Sequence, residues 1–191
     1  MNATSIHVCW EVPILNDLNG ILVNYSINYS GVEIDTFPRV IYLSYPNLTN
    51  QSITLIDLEE YTTYSINVSA YTKIGKGPDA IITQRTNQDG PSSIPTSLQA
   101  TPLSPTILSI TWEDPVYINQ NGIITTYTLT FEGIERDTQL RTLTLPQTNL
   151  SLTCHNLDSL EEYTTYDISV SASTTVGAGP VSRVTVRTLE N

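Results

Sequence analysis

At 191 residues, with 39% hydrophobic content, the chain is long enough for two small domains, each with a modest core. Its 8 basic residues against 19 acidic ones leave a net charge of −11, which argues against nucleic-acid binding because no basic stripe exists to neutralise phosphates. No run approaches the ~18 apolar residues of a membrane-spanning helix, and richness in Thr, Ser, Ile, Val and Tyr favours strands.

Residues 1–10 lack the basic start and apolar run of a signal peptide. Within them Ile6, Val8 and Trp10 alternate with His7 and Cys9, the period-two pattern of a half-buried strand. Asp17-Leu18-Asn19-Gly20 then supplies turn chemistry. It resembles a piece of a calcium loop, but the spaced acids and closing Glu are missing, so no metal is expected. Tyr25, Ile27 and Tyr29 alternate with Asn24, Ser26 and Asn28 in the next strand. After Leu58-Glu59-Glu60-Tyr61-Thr62-Thr63-Tyr64 the pattern resumes, with Ile66, Val68 and Ala70 on one face and Ser65, Asn67 and Ser69 on the other. Gly75-Lys76-Gly77 reads as the turn into a last strand, not as a phosphate-cradling loop. Next comes a short link, Asn87-Gln88-Asp89-Gly90-Pro91, in which Pro91 and Pro95 restrict the backbone and Gly90 permits a bend.

From there the chain repeats itself at an offset of 102 residues. Trp112 matches Trp10, Asn121-Gly122 matches Asn19-Gly20, and Tyr127 matches Tyr25. Leu160 to Tyr166 repeats Leu58 to Tyr64 letter for letter, and Ile168, Val170 and Ala172 follow as before. Solenoid units have periods of about 20 to 50 residues, so a repeat of this length is a domain. Domains are expected at residues 1–87 and 88–191. Their charges are unequal: 8 acids against 4 bases in the first, 11 against 4 in the second.

An early-strand Trp, then Leu-x-x-x-Thr-x-Tyr-x-Ile-x-Val-x-Ala and Gly-x-Gly-Pro, resembles the fibronectin type III domain. Leu58, Thr62, Tyr64, Ile66, Val68 and Ala70 fit it, as do Leu160, Thr164, Tyr166, Ile168, Val170 and Ala172. The resemblance covers nearly the whole chain, twice in register. It implies an all-β fold of two tandem immunoglobulin-like sandwiches, strands A-B-E packed on C-C′-F-G. Trp10 and Trp112 would lie in strand B, and Tyr64 and Tyr166 would open strand F with the hydroxyl bonded back to nearby backbone. With Leu58 and Leu160, these residues are expected to be core. Only nine residues precede Trp10, against eighteen from Ile94 to Trp112, so the first sandwich is expected to lack strand A. Strand B would then have an unpaired edge, and the sequence would be a truncated piece of a longer array.

Seven Asn-x-Ser/Thr triplets, at Asn2, Asn24, Asn28, Asn47, Asn50, Asn67 and Asn149, are candidate glycosylation sites. Alternation turns Asn24, Asn28 and Asn67 outward. Cys9 and Cys154 fall in different copies opposite Thr111 and Ser52, so both thiols are expected to be free. Exposed free thiols weigh mildly against an oxidising compartment. His7 and His155 are the only histidines, no zinc spacing occurs, and Gly-x-Ser-x-Gly is absent. No cofactor and no catalytic residue is therefore expected.

The resemblance implies a non-catalytic spacer and protein-interaction segment of an extracellular region. The parent would be a single-pass receptor or adhesion protein, with adjoining domains of the same type, a protein partner and no membrane insertion by this segment. In style it is similar to the arrays of receptor tyrosine phosphatases, usherin-like proteins and neural adhesion receptors. A secreted matrix protein also fits. Two alternatives stay open, an intracellular structural array and an accessory module of a secreted enzyme. The loops 13–19, 73–77, 115–121 and 174–179 are the natural contact surfaces.

Overall fold

The computed structural model describes residues 2–14, 17–44, 51–148 and 152–191. The chain divides into two compact units, Met1–Asn87 and Gln88–Asn191. The first contains β1 (Ile6–Cys9), β2 (Leu22–Gly31), β3 (Arg39–Ser44), β4 (Ser52–Leu55), β5 (Thr63–Thr72) and β6 (Lys76–Arg85). The second contains β7 (Thr96–Ser104), β8 (Ile107–Glu113), β9 (Thr126–Gly133), β10 (Arg141–Pro146), β11 (Thr153–Leu157), β12 (Thr165–Ser173) and β13 (Ala178–Arg187). All pairings are antiparallel, as short strands joined by turns allow.

In the second unit a three-stranded sheet, β11-β8-β7, accompanies a four-stranded one, β10-β9-β12-β13. The inward residues of the two sheets form one core around Trp112, Leu129, Tyr127, Tyr166 and Ile168, all wholly buried. Period-two patterning produces this directly, because β8 and β9 bury every second side chain.

The first unit repeats the four-stranded sheet as β3-β2-β5-β6, but its other sheet contains only β1 and β4. Among the described residues no strand pairs with the second edge of β1. Trp10 also departs from expectation. It lies one residue past the end of β1, held by its N–H to the Gln51 carbonyl at 2.9 Å, and it is only partly buried. Trp112, within β8, is wholly buried. Each indole packs on its neighbouring tyrosine at 5.4 Å between ring centroids, Trp10 on Tyr25 and Trp112 on Tyr127. The two tryptophans are equivalent in sequence and unequal in burial.

The stretch expected as a link is held against the second unit. Asp89 donates its N–H to the Asn121 carbonyl at 2.8 Å, and Ser92 donates to Asn119 at 2.9 Å. The Gln88 side chain accepts from the Ile123 N–H at 2.7 Å. The Gly90 carbonyl is held as well, accepting from the Asn121 side-chain amide at 3.0 Å.

Candidate functional site

The predicted core residues build a scaffold, not a reactive centre. Leu58 and Leu160 are buried where β5 and β12 are approached. The Tyr64 hydroxyl accepts from the Glu59 N–H at 2.9 Å and donates to Asp35 at 2.6 Å. Tyr166 does the same with Glu161 and Asp137, at 2.9 and 2.6 Å. The predicted return to nearby backbone is present, and the carboxylate is an addition. Asp35 and Asp137 also pair with Arg39 and Arg141, whose guanidinium groups lie 4.9 Å from the Tyr29 ring centroid and 4.5 Å from that of Phe131. These partners escape a sequence reading because they come from the loop after β2 or β9, about 29 residues upstream of the tyrosine. A usable signal was there: Gly-x-x-x-Asp-x-x-x-Arg recurs at Gly31, Asp35 and Arg39 and at Gly133, Asp137 and Arg141.

Burial first, and the hydrogen bond to Asp137 second, push the Tyr166 hydroxyl up from 10.0 to about 12. The same causes raise Tyr64, through Asp35, and Tyr127, through Asp114. The folded protein holds these protons while the unfolded chain releases them above about pH 10. Their stabilisation is complete below pH 10 and is lost as pH rises through the folded values. The urea midpoint is therefore expected to fall steadily above pH 10, and Tyr166→Phe should flatten the part of that slope belonging to the second unit. A midpoint unchanged up to pH 11.5, or tyrosinate absorbance appearing on the folded protein at pH 10, would contradict this.

The outer face of β3-β2-β5-β6 gathers three of the predicted glycosylation asparagines. Asn28 is exposed, sits directly across from Asn67 on β5, and has Val40 of β3 on its other side. Asn24 lies between Ser44 and Tyr71. Asn24 and Asn67 are half-buried, and each has its side-chain carbonyl oxygen buried without a hydrogen-bond partner. The flanking aromatics Tyr42 and Tyr71 meet edge to face at 6.3 Å. At the matching places of the second unit Thr130 and Ser169 join their hydroxyls at 2.5 Å, so the asparagine pair belongs to the first unit alone. Asn2 is exposed, with its side-chain oxygen accepting from Thr4 N–H and the Ser5 hydroxyl, both at 2.9 Å. Asn47, Asn50 and Asn149 lie outside the described residues.

Cys9 and Cys154 are free thiols and exposed. Cys9 is opposite Ser52, and Cys154 Sγ lies 3.5 Å from the Ser109 hydroxyl. His7 Nδ1 meets the Thr54 hydroxyl at 3.0 Å on an exposed strand face. Among the described residues no three His, Cys, Asp or Glu side chains gather to hold a metal ion. Nor is any helix there long and apolar enough to cross a membrane.

A groove of about 680 Å³ opens in the first unit. Trp10, Tyr25, Leu18, Asn19, Thr72 and Gly77 are among the residues that line it. It opens between two of the loops expected to be contact surfaces.

A family profile described as "Fibronectin type III domain" matches residues 1–86 and 93–188. Receptor-type tyrosine-protein phosphatase F of Mus musculus is 30% identical over 188 residues, covering 97% of this chain and 10% of that protein. Neogenin of Homo sapiens is 32% identical over 182 residues, covering 94% of the chain and 12% of neogenin. Protein sidekick-1 of Gallus gallus is 33% identical over 187 residues, covering 97% of the chain and 8% of sidekick-1. The chain thus spans about a tenth of the length of these relatives.

Proposed function

Because the chain belongs to the fibronectin type III family, as two domains in tandem, we propose that it is a non-catalytic spacer and protein-interaction segment of a receptor or adhesion ectodomain. The observation that carries this is similarity running through both domains to a receptor-type phosphatase, at 30% identity over 188 residues. Residues 1–87 and 88–191 are the two modules, adjoined in the parent chain by others of their kind. The parent is a single-pass membrane protein and this segment lies outside the cell, where it meets a protein partner.

Asn28 supports the extracellular placement. An exposed asparagine in an acceptor triplet, projecting from the outer face of a sheet, can carry a glycan without disturbing the core. Asn67 lies directly across from it, and side chains so placed have Cβ atoms only about 4.5–5.5 Å apart. Two glycans would crowd each other there. Expressed through the secretory pathway of a eukaryotic host, the chain is expected to gain glycan mass that deglycosylation removes, with Asn28→Gln deleting one glycan. Secreted protein without sugar would overturn the reading. The exposed free thiols Cys9 and Cys154 favour the second reading, an intracellular structural array. Retention of the chain with mixed intermolecular disulfides in the secretory host would support it.

A further inference from the structure

The two domains share one fold but differ on the outer face of their four-stranded sheet. In the first, a row across that face reads Val40, Asn28, Asn67, Ile81, from β3 through β2 and β5 to β6. The corresponding row of the second reads Thr142, Thr130, Ser169, Arg183. Farther along, Tyr42 stands where the second domain has Thr144, and Tyr71 where it has Ser173. Hydroxyls and a guanidinium cover the second face, as suits a sheet face turned to water. The first face instead exposes apolar groups, with Tyr42 65%, Ile81 63% and Val40 48% exposed.

The sandwich does not require those groups, because the second domain folds without them. Acceptor asparagines and apolar neighbours occur together on the first sheet and are both missing from the second. Asn28 opens the triplet Asn28-Tyr29-Ser30 and is the exposed member of the set, while Asn24 and Asn67 are half-buried. Val40 is directly across from Asn28, and Tyr42 is its diagonal neighbour, at a spacing of about 7–8 Å that a large ring can bridge. A pyranose ring of an N-acetylhexosamine carries C–H groups on its faces and hydroxyls around its rim. Its C–H face suits an aromatic ring, whose own face is the negative part of the quadrupole. The sugar hydroxyls stay in water. Tyr42 is steadied for this by its edge-to-face contact with Tyr71, at 6.3 Å between centroids.

On the premise that this segment is extracellular, as proposed for its function, we propose that the outer face of β3-β2-β5-β6 is the bed of a glycan carried by Asn28. The first N-acetylhexosamine lies over Tyr42 and Val40 and takes them out of water. Attachment joins the Asn28 side-chain nitrogen to the anomeric carbon of a glycosyl diphosphate donor. The bond from that carbon to the diphosphate oxygen breaks, the diphosphate leaves with the electron pair, and the amide gives up one proton. Asn67, directly across, is screened by the sugar and stays unmodified.

The test secretes the full chain from a eukaryotic host and trims it with an endoglycosidase that leaves one N-acetylglucosamine per site. Peptide mapping by mass spectrometry locates the sugar, NMR reads its ring protons, and urea melts follow the first domain. Expected is sugar at Asn28, with its ring protons shifted upfield and in nuclear Overhauser contact with Tyr42. The sugar should raise the folding equilibrium constant of the first domain about two- to fivefold, the range of one favourable cross-strand pair. That gain should vanish in Tyr42→Ser. A double-mutant cycle of Asn28→Gln and Tyr42→Ser removes whatever Tyr42 contributes without sugar. Sugar at Asn28 with unshifted protons and no coupling to Tyr42 would overturn the proposal while leaving the extracellular placement intact. Sugar at Asn24 or Asn67 in place of Asn28 would do the same. Secreted protein with no sugar would overturn both.

Discussion

Trp112→Ala is expected to destabilise the second domain by about 3–5 kcal/mol, the cost of deleting a wholly buried indole from a core that cannot collapse around the loss. Trp112 has 0% exposure, its ring meets that of Tyr127 edge-on at 5.4 Å, and Leu98 and Ala100 of β7 pack on the same core. Domain stabilities of about 5–15 kcal/mol make that a large share of the total. At about 4–8 °C per kcal/mol for a domain of this size, the calorimetric transition of the second domain should move down by more than 12 °C. Trp10→Ala should cost clearly less, since Trp10 is already open to the groove. Equal losses at the two positions would mean that Trp112 is no better buried than Trp10 in solution.

Gly133→Ala is expected to cost about 3 kcal/mol, although it adds a single methyl group. That methyl would stand 1.8 Å from the Arg136 carbonyl oxygen and 3.0 Å from its carbon. The turn cannot easily retreat. The Gly133 N–H donates to the Asp137 carbonyl at 2.9 Å, and the Ile134 N–H donates to the Thr165 carbonyl at 2.8 Å. Asp137, in the left-handed region at φ +53°, must also present its carboxylate to Tyr166 and Arg141. Opening the turn therefore combines overpacking, about 1–3 kcal/mol, with loss of a hydrogen bond to a charged group, about 1.5–3 kcal/mol. Gly31→Ala should do the same to the first domain, where the Ile34 carbonyl oxygen lies at 1.8 Å. Gly75→Ala is the control, with nothing within 4 Å of the added carbon. Urea melts of the three variants decide it. A neutral Gly133→Ala would show that the turn is looser than drawn.

Both predictions concern residues that a linear reading treats unequally. Trp112, Tyr166 and Leu160 stand out because period-two alternation and exact repetition mark them, and alternation is a local property of strands. Gly133 and Asp137 do not stand out. Their importance comes from a carbonyl and a phenol brought to them by chain folding, one from the same turn and one about 29 residues away. The outward asparagines fall between these cases. Alternation put Asn24, Asn28 and Asn67 on one face, but only the cross-strand register set Asn28 against Asn67 and half-buried Asn24 and Asn67 among their neighbours.

The strand pattern, the doubled domain, its family resemblance and the short lead before Trp10 were all set by residue order, because side-chain periodicity and repeat spacing need no knowledge of distant contacts. What the leader does was decided only in three dimensions. Residues 87–91 read as a short link in the chain, yet Asp89, Gly90 and Pro91 are gripped by Thr174, Asn121 and Gly179, which arrive from loops about 30 and 85 residues away. Hydrogen bonds and van der Waals contacts depend on proximity in space, so residue order alone does not show that these loops hold the leader.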